Sequence, residues 1–303
     1  MGNKYELLPQ LLHIFPKDIN TFYDMFGGSG VMSLNVKANK TVYNELNHNV
    51  VNLIKMFKTK SSKEILTHIY KRIKEFNLSK QGTDLRQPNV NEQIRLKEQE
   101  RYIEFRKWYN ESDKSNLDLY TLTYYSFCNL MRFNSKSEFN MPYGNRCFRE
   151  SEHKHKIEQA CYKMSKDLFE IKNENVFDLF DSIEFKENDF VYLDPPYLNT
   201  EAIYNEKRAF GGWNIDDDYK LFEELDKLNN KGVKWCLSNV KENKGKTNQH
   251  LIDWANKNNY RIIGMNKNYS ALGKGTANTY EICVINYDYN GDGFKIIQGS
   301  LDL

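Results

Sequence analysis

Short β-branched and aromatic runs alternate with helical spacing along the chain, and each run ends in residues suited to chemistry. Thr21 to Phe26 (TFYDMF) has the composition of a buried strand, runs into Gly27, Gly28, Ser29 and Gly30, and is followed by an apolar stretch, Val31 to Val36, that opens a helix. Thr41 to Asn44 (TVYN) predicts the next strand, with Glu45 at its end. Strand, loop, helix and strand in this order make a βαβ unit, which implies a parallel sheet with crossover helices. Asp189 to Asp194 (DFVYLD) predicts another buried strand, closed by the stiff Pro195-Pro196-Tyr197 turn. Phe222, Leu225 and Leu228 recur at helical spacing within Lys220 to Asn229, Gly232 ends that helix, and Val233 to Ser238 and Glu281 to Asn286 read as two further strands.

From Met56 to Lys163 the pattern changes to long Lys- and Glu-rich stretches, such as NEQIRLKEQERYIEFRKWYNE, with helical composition and no strong buried strand. The expected organisation is therefore one α/β domain, residues 1–55 and 164–303, split by a mostly helical insertion, residues 56–163. There is no internal repeat.

The 303 residues, 40% hydrophobic and 14% aromatic, exclude a disordered or fibrous chain. With 43 basic and 41 acidic residues the net charge is only +2, so contact with nucleic acid must come from a local patch. Five cysteines (Cys128, Cys147, Cys161, Cys236, Cys283) show no CxxC pair or metal-ligand spacing and read as reduced thiols. No apolar run approaches the ~18 residues of a membrane span. The start MGNKYELLPQ lacks a signal core, and Glu6 stands where an N-myristoylation site needs Ser or Thr. Cytoplasmic residence is the expectation.

The glycine loop lets backbone N–H groups approach a ligand, because no Cβ intervenes. A plain strand-to-helix turn has the same composition. Ser33 occupies the third-glycine position of GxGxxG, and no GxxxxGK[ST] loop exists, which disfavours hydride and phosphate chemistry. Glu45, 21 residues after Asp24, is placed to accept from both hydroxyls of a ribose; it reads equally as a charge at a helix start. Asp194-Pro195-Pro196-Tyr197 carries more information. An exocyclic amino group has two N–H donors; Asp194 and the Pro195 carbonyl can accept them, aiming the nitrogen lone pair at an electrophilic methyl group while Tyr197 stacks on the base. The competing reading is a strand-terminating Pro-Pro turn.

Gly2-Asn3-Lys4 with Leu7-Leu8-Pro9, then FYDMFGGSG, then DPPY, then Leu237-Ser238-Asn239 is an ordered set that resembles the Dam-like, D12-class adenine-N6 DNA methyltransferases, and is nearest in feel to the phage enzymes among them. The resemblance runs from Gly2 to about Asn286. It implies a Rossmann-like sheet that binds S-adenosylmethionine, an α/β fold with an inserted target-recognition domain and hairpin, and a flipped adenine in double-stranded DNA as substrate. It assigns Asp194, Pro195, Pro196 and Tyr197 to catalysis. It assigns Lys4, Asp24, Phe26, Gly27, Gly28, Ser29, Gly30, Glu45 and Asp194 to the cofactor. The stretches FCNLMRFN and EFNMPYG match the family's recognition hairpin, so Phe127, Asn129, Arg132, Asn134, Pro142 and Arg146 become DNA-contacting candidates, with Phe127 a wedge and the arginines readers of guanine or holders of phosphate. By composition alone the same stretch reads as an aromatic core under a turn.

Three features depart from the family: Ser137 replaces a glycine of the hairpin, Cys128 replaces Ser or Asn, and Met1 stands just ahead of Gly2. A GATC-type site is expected, within a restriction-modification or phage setting. No metal is expected, because the scattered histidines lack metal spacing and NYDYNGDGFK lacks that of a calcium loop. The tract His153-Lys154-His155-Lys156 reads as a solvated helix face, and Trp108, Trp213, Trp235 and Trp254 read as core or interface. A DNA-binding protein without turnover, and methylation of RNA or protein, are the competing functions.

Overall fold

Among the described residues, eight strands form one sheet: β1 (Thr21–Asp24), β2 (Lys40–Asn44), β3 (Phe169–Lys172), β4 (Phe190–Leu193), β5 (Lys234–Asn243), β6 (Lys246–Thr247), β7 (Arg261–Met265) and β8 (Thr279–Ile285). The computed structural model describes residues 4–79, 90–198, 212–243, 245–265 and 279–289. Strand order is β3-β2-β1-β4-β5-β8-β7, with the two-residue β6 paired to β5. The first five strands are parallel; β8 runs antiparallel to both β5 and β7. The chain winds outward from β1 to β3 and then returns to β4 on the other side of β1. That reversal opens a crevice at the carboxyl ends of β1 and β4, where open α/β sheets bind ligands.

Alternation along the strands covers both faces. Phe22, Phe190, Tyr192, Cys236, Cys283 and Ile285 pack with Leu8, Leu11 and Ile14 of helix α1 (Leu8–Ile14) and Met32 of α2 (Val31–Asn35). Tyr23, Val191, Leu193, Trp235, Leu237, Ile282 and Val284 pack on the opposite face against α8 (Val176–Ser182), α9 (Ile215–Asn230) and α10 (Gln249–Lys257).

Boundaries move for identifiable reasons. β1 stops at Asp24, because Met25 still donates to Tyr192 but Gly27 turns away to the Asn44 carbonyl. α9 begins at Ile215, ahead of the expected Lys220, because Asn214 and Asp217 form a capping box. β5 extends past Ser238 to Asn243 through its pairing with β8 and β6.

Two compact units emerge: residues 2–48 with 168–303, and residues 49–167. The second is built from α3 (His48–Thr59), α4 (Ser62–Glu75), α5 (Glu92–Glu111), α6 (Asn116–Thr123) and α7 (Glu150–Met164). It starts earlier than residue 56 because nearly all of α3 belongs to it. Buried Asp118 ties α6 to α4, accepting from Arg72 Nε at 2.5 Å and lying 2.6 Å from His68 Nε2. The N-terminal Gly2-Asn3 and the part of NYDYNGDGFK beyond Tyr289 lie outside the described residues.

Candidate active site

The glycine loop is pinned from below. Gly27 donates to the Asn44 carbonyl at 2.6 Å, and a Cβ on Gly27 would lie 2.2 Å from the Tyr43 ring, so only glycine fits there. The Tyr43 hydroxyl donates to the Gly28 carbonyl at 2.7 Å. Gly28 and Gly30 adopt φ of +50° and +75°, which glycine reaches without strain. Asp24, 1% exposed, accepts from both the Ser33 backbone (3.1 Å) and its hydroxyl (2.6 Å). Ser33, which the sequence reading used only to weaken a dinucleotide motif, is the anchor between β1 and α2.

The loop amides do not all face a ligand: Gly27 donates to Asn44, Gly28 to Glu45 Oε2 at 2.9 Å, and Gly30 to the Gly27 carbonyl. With five residues, α2 also offers little dipole. Glu45 meets its helix-start reading, because its other oxygen accepts from Asn47 N–H at 2.8 Å, just ahead of α3. The carboxylate thus latches the glycine loop to the start of a helix. Phe26 meets Trp213 edge-on at 5.4 Å, and Trp213 stacks on Phe177 with ring centroids 6.0 Å apart. The Trp213 indole N–H donates to Asp218 at 2.6 Å, making this tryptophan part of an aromatic wall beside the loop.

At the end of β4, Asp194 sits one strand from Asp24. The Tyr197 hydroxyl donates to Asp194 Oδ1 at 2.8 Å, and Lys4 Nζ lies 3.2 Å from the same oxygen. Lys4 is buried, also bonds the Tyr197 hydroxyl, and reaches Glu281 on β8 at 3.0 Å. Lys4, expected at the cofactor, is therefore placed on the DPPY carboxylate, and Tyr197, expected against a base, is folded back onto Asp194. Pro195 is buried and Pro196 exposed. Sequence reasoning missed Glu281. Its signal was a charge at a position alternating with Cys283 and Ile285, which belong to the core.

Electrostatics follow burial. Burial raises the Asp24 carboxyl to about 7, with Asp194 and Glu45 adding to the rise after the Ser33 bonds offset part of it. Burial also pushes Asp194 above its ordinary range, partly offset by Lys4 and Tyr197. For Lys4 burial alone would lower the ammonium, but Asp194, Tyr197 and Glu281 outweigh it and hold it well up. Asp24, Glu45 and Asp194 therefore lie within electrostatic reach of one another at one sheet edge, with the Lys4 ammonium held on Asp194.

In the helical unit, residues 126–148 form an irregular hairpin, with antiparallel bridges Ser126–Tyr143 and Phe133–Phe139. Gly144 packs so tightly on the Ser126 and Phe127 backbone that a Cβ would lie 2.4 Å from the Ser126 carbonyl oxygen, and Phe127 is left 50% exposed. Pro142 is exposed and accepts from Phe127 N–H. The remaining polar candidates are engaged by the hairpin itself or by the end of α6. Asn134 accepts from Lys136 and Glu138 N–H and donates to the Glu138 carboxylate; Arg132 donates from Nε and one terminal nitrogen to Asn140. Asn129 donates to the Thr123 carbonyl and accepts from Arg146 at 2.7 Å. Ser137 keeps a left-handed φ of +56°, as a glycine would, and Cys128 one of +53°. His153 is no solvated side chain: it accepts from Arg149 N–H at 3.0 Å, packs on Tyr124 and Phe148, and burial lowers it to about 4. Residues 49–167 carry 23 basic and 15 acidic side chains, net +8; the rest of the chain carries 20 and 26, net −6.

Among the described residues no cluster of His, Cys, Asp and Glu could hold a metal, and no helix is long and apolar enough to cross a membrane. The modification methylase StsI of Streptococcus sanguinis is 36% identical over 292 residues, 95% of this chain and 42% of that protein. The type II methyltransferase M.FokI of Planomicrobium okeanokoites is 34% identical over 303 residues, with the same two coverages. The chain thus spans less than half the length of these two relatives. A DNA adenine methylase of Vibrio cholerae is 24% identical over 253 residues, 78% of each chain. Among solved structures, an rRNA methyltransferase of Streptomyces viridochromogenes aligns with 12% identity and a TM-score of 0.33, covering 92% of this chain and 81% of that one. A model of the D12 class N6 adenine-specific DNA methyltransferases matches residues 1–267, which hold the glycine loop, the DPPY turn and the hairpin alike, and the chain belongs to that family.

Proposed function

We propose that this chain transfers the methyl group of S-adenosylmethionine to the N6 amino group of an adenine flipped from duplex DNA, within a GATC-type site. The observation that carries the reading is Asp194, at the carboxyl end of β4, sharing a sheet edge with Asp24, Glu45 and the glycine loop. The cofactor fits this donor set by its chemistry: it carries a sulfonium and an ammonium charge and two ribose hydroxyls, and the edge offers carboxylates. Glu45 holds the ribose, the Phe26–Trp213–Phe177 wall encloses the ring, and Asp24 supports the loop from beneath.

When bound, S-adenosylmethionine supplies an electrophilic methyl carbon. Asp194 and the Pro195 carbonyl accept the two amino N–H bonds of the adenine, and Tyr197 leaves Asp194 to stack on the base. The amino lone pair, aimed by Asp194 and the Pro195 carbonyl, would take up that methyl carbon with the sulfonium sulfur as leaving group, and Asp194 would pass one amino proton to solvent. The positive unit of residues 49–167 supplies phosphate affinity, and Phe127 fills the gap left by the base.

Incubation with labelled S-adenosylmethionine and duplex DNA, RNA or protein extract tests the reading, with nucleoside analysis for N6-methyladenine. Label in DNA is the expected result; label only in RNA or protein, or none with DNA bound, overturns it. Asp194→Ala should abolish transfer while duplex affinity stays within about tenfold, since this carboxylate serves the amino group and not the duplex. An equal loss of binding would remove the assignment.

A further inference from the structure

Glu281 has no part in the reaction as described, yet it is a carboxylate 5% exposed on β8, where the alternate positions Cys283 and Ile285 are core. Register slips between Val240 and Glu242 on β5, directly opposite Glu281, and such a bulge re-aims the side chains around it. Its carboxylate meets Lys4, 277 residues away in sequence, at 3.0 Å, and the same ammonium lies 3.2 Å from Asp194. One cation is therefore shared between two acids. Burying a second acid is costly without a purpose, because each charge removed from water must be compensated.

We propose that Glu281 is a positioning residue for methyl transfer: it draws the Lys4 ammonium into a shared position, so that Lys4, Asp194 and Glu281 together keep one net negative charge facing the attacked amino nitrogen. This rests on the function proposed above. With Asp194 alone as its partner, Lys4 would form a neutral pair and claim the lone pairs that the amino group must use. As the N–C bond forms, positive charge grows on nitrogen, and a site of net charge −1 stabilises it more than a neutral one does. Asp24, Tyr192, Tyr197 and Cys236 face Asp194. Burial holds Tyr192, Tyr197 and Cys236 far above their ordinary ranges, leaving them neutral in an assay.

The test is Glu281→Gln, which keeps an oxygen for Lys4 but removes the charge, beside Glu281→Asp, which keeps the charge. The Gln variant should lower kcat about tenfold to a hundredfold, with KM for DNA and cofactor within about threefold. Glu281 raises the Asp194 carboxyl, so its neutralisation should move the acid limb of the pH–rate profile to lower pH, while the Asp variant keeps the wild-type limb. A purely structural role would lower Tm and activity without moving that limb, and would overturn the proposal, as would an unchanged kcat. Carbon-13 titration of the Asp194 carboxyl, assigned by its loss in Asp194→Asn, reads the same coupling without turnover. A lower midpoint in Glu281→Gln supports the shared cation and an unchanged one refutes it. A shifted midpoint in a chain that does not methylate DNA would leave this arrangement standing and overturn the proposed function instead.

Discussion

Asp24 makes the fold's stability depend on pH in a direction opposite to most carboxylates. Its carboxyl rises from an ordinary 3.8 to about 7 in the folded chain, chiefly through burial. The folded state therefore binds a proton that the unfolded chain has released, and stability falls as pH rises between these values. The contribution is complete below about pH 4 and is lost by about pH 7. A displacement of about 3 units corresponds to about 4 kcal/mol as a ceiling, at 1.36 kcal/mol per unit. Asp24→Asn removes the titration and keeps one oxygen for both Ser33 donors. Its absolute stability also depends on whether the new amide N–H₂ finds an acceptor, worth about 1–3 kcal/mol, so the informative quantity is the pH dependence of the difference. Urea unfolding of both proteins from pH 4.5 to pH 8 should show the variant gaining on the wild type by about 1–4 kcal/mol as pH rises. Parallel curves would mean that Asp24 is ionised at all these values and that the Ser33 bonds outweigh burial.

Glu45→Ala should weaken S-adenosylmethionine binding by about 1.5–3 kcal/mol, since it removes a charge-assisted bond to ribose and unlatches Gly28; calorimetry measures it, and unchanged affinity would leave Glu45 as a loop latch alone. Ser137→Gly should stabilise the helical unit by up to about 1 kcal/mol, because it relieves a φ of +56° at a non-glycine residue, and a lowered Tm would refute the strain. Arg146→Ala, which also frees Asn129, should cost about 1–3 kcal/mol of discrimination at one base pair if it reads guanine; an equal loss on every single-base variant of the site, with the salt slope reduced by about one charge, would make it a phosphate contact.

The sheet edge was legible because its determinants are local. A glycine loop after one apolar run and a Pro-Pro turn after another mark the ends of β1 and β4 wherever the rest of the chain goes. The partners of those ends were not legible. Lys4, Asp194 and Glu281 converge only when β8 inserts antiparallel between β5 and β7, an order that no periodicity encodes. Ser33 shows the same limit: as the sixth residue of a failed motif it carries no signal, but one helical turn places its hydroxyl 2.6 Å from Asp24. The strands β3 and β7 went unread because FEIK and RIIGM, as brief as β1 and β4, are followed by no glycine loop or Pro-Pro turn to mark their ends.

Chemistry at an amino group and affinity for a polyanion make opposite demands on charge. Carboxylates that accept N–H bonds and face a sulfonium repel a duplex, whereas the lysines and arginines that hold a duplex would neutralise them. Charge is divided along the chain, with net +8 in residues 49–167 and net −6 in the remainder, so that an overall charge of +2 conceals two units of opposite sign. The division also accounts for the polar residues of the hairpin. Asn134 and Arg132 bond within the segment and Asn129 ties it to the end of α6, which leaves Phe127 exposed at the turn where Gly144 packs on its backbone. A side chain bonded within its own loop shapes that loop and so sets where the exposed side chains are presented.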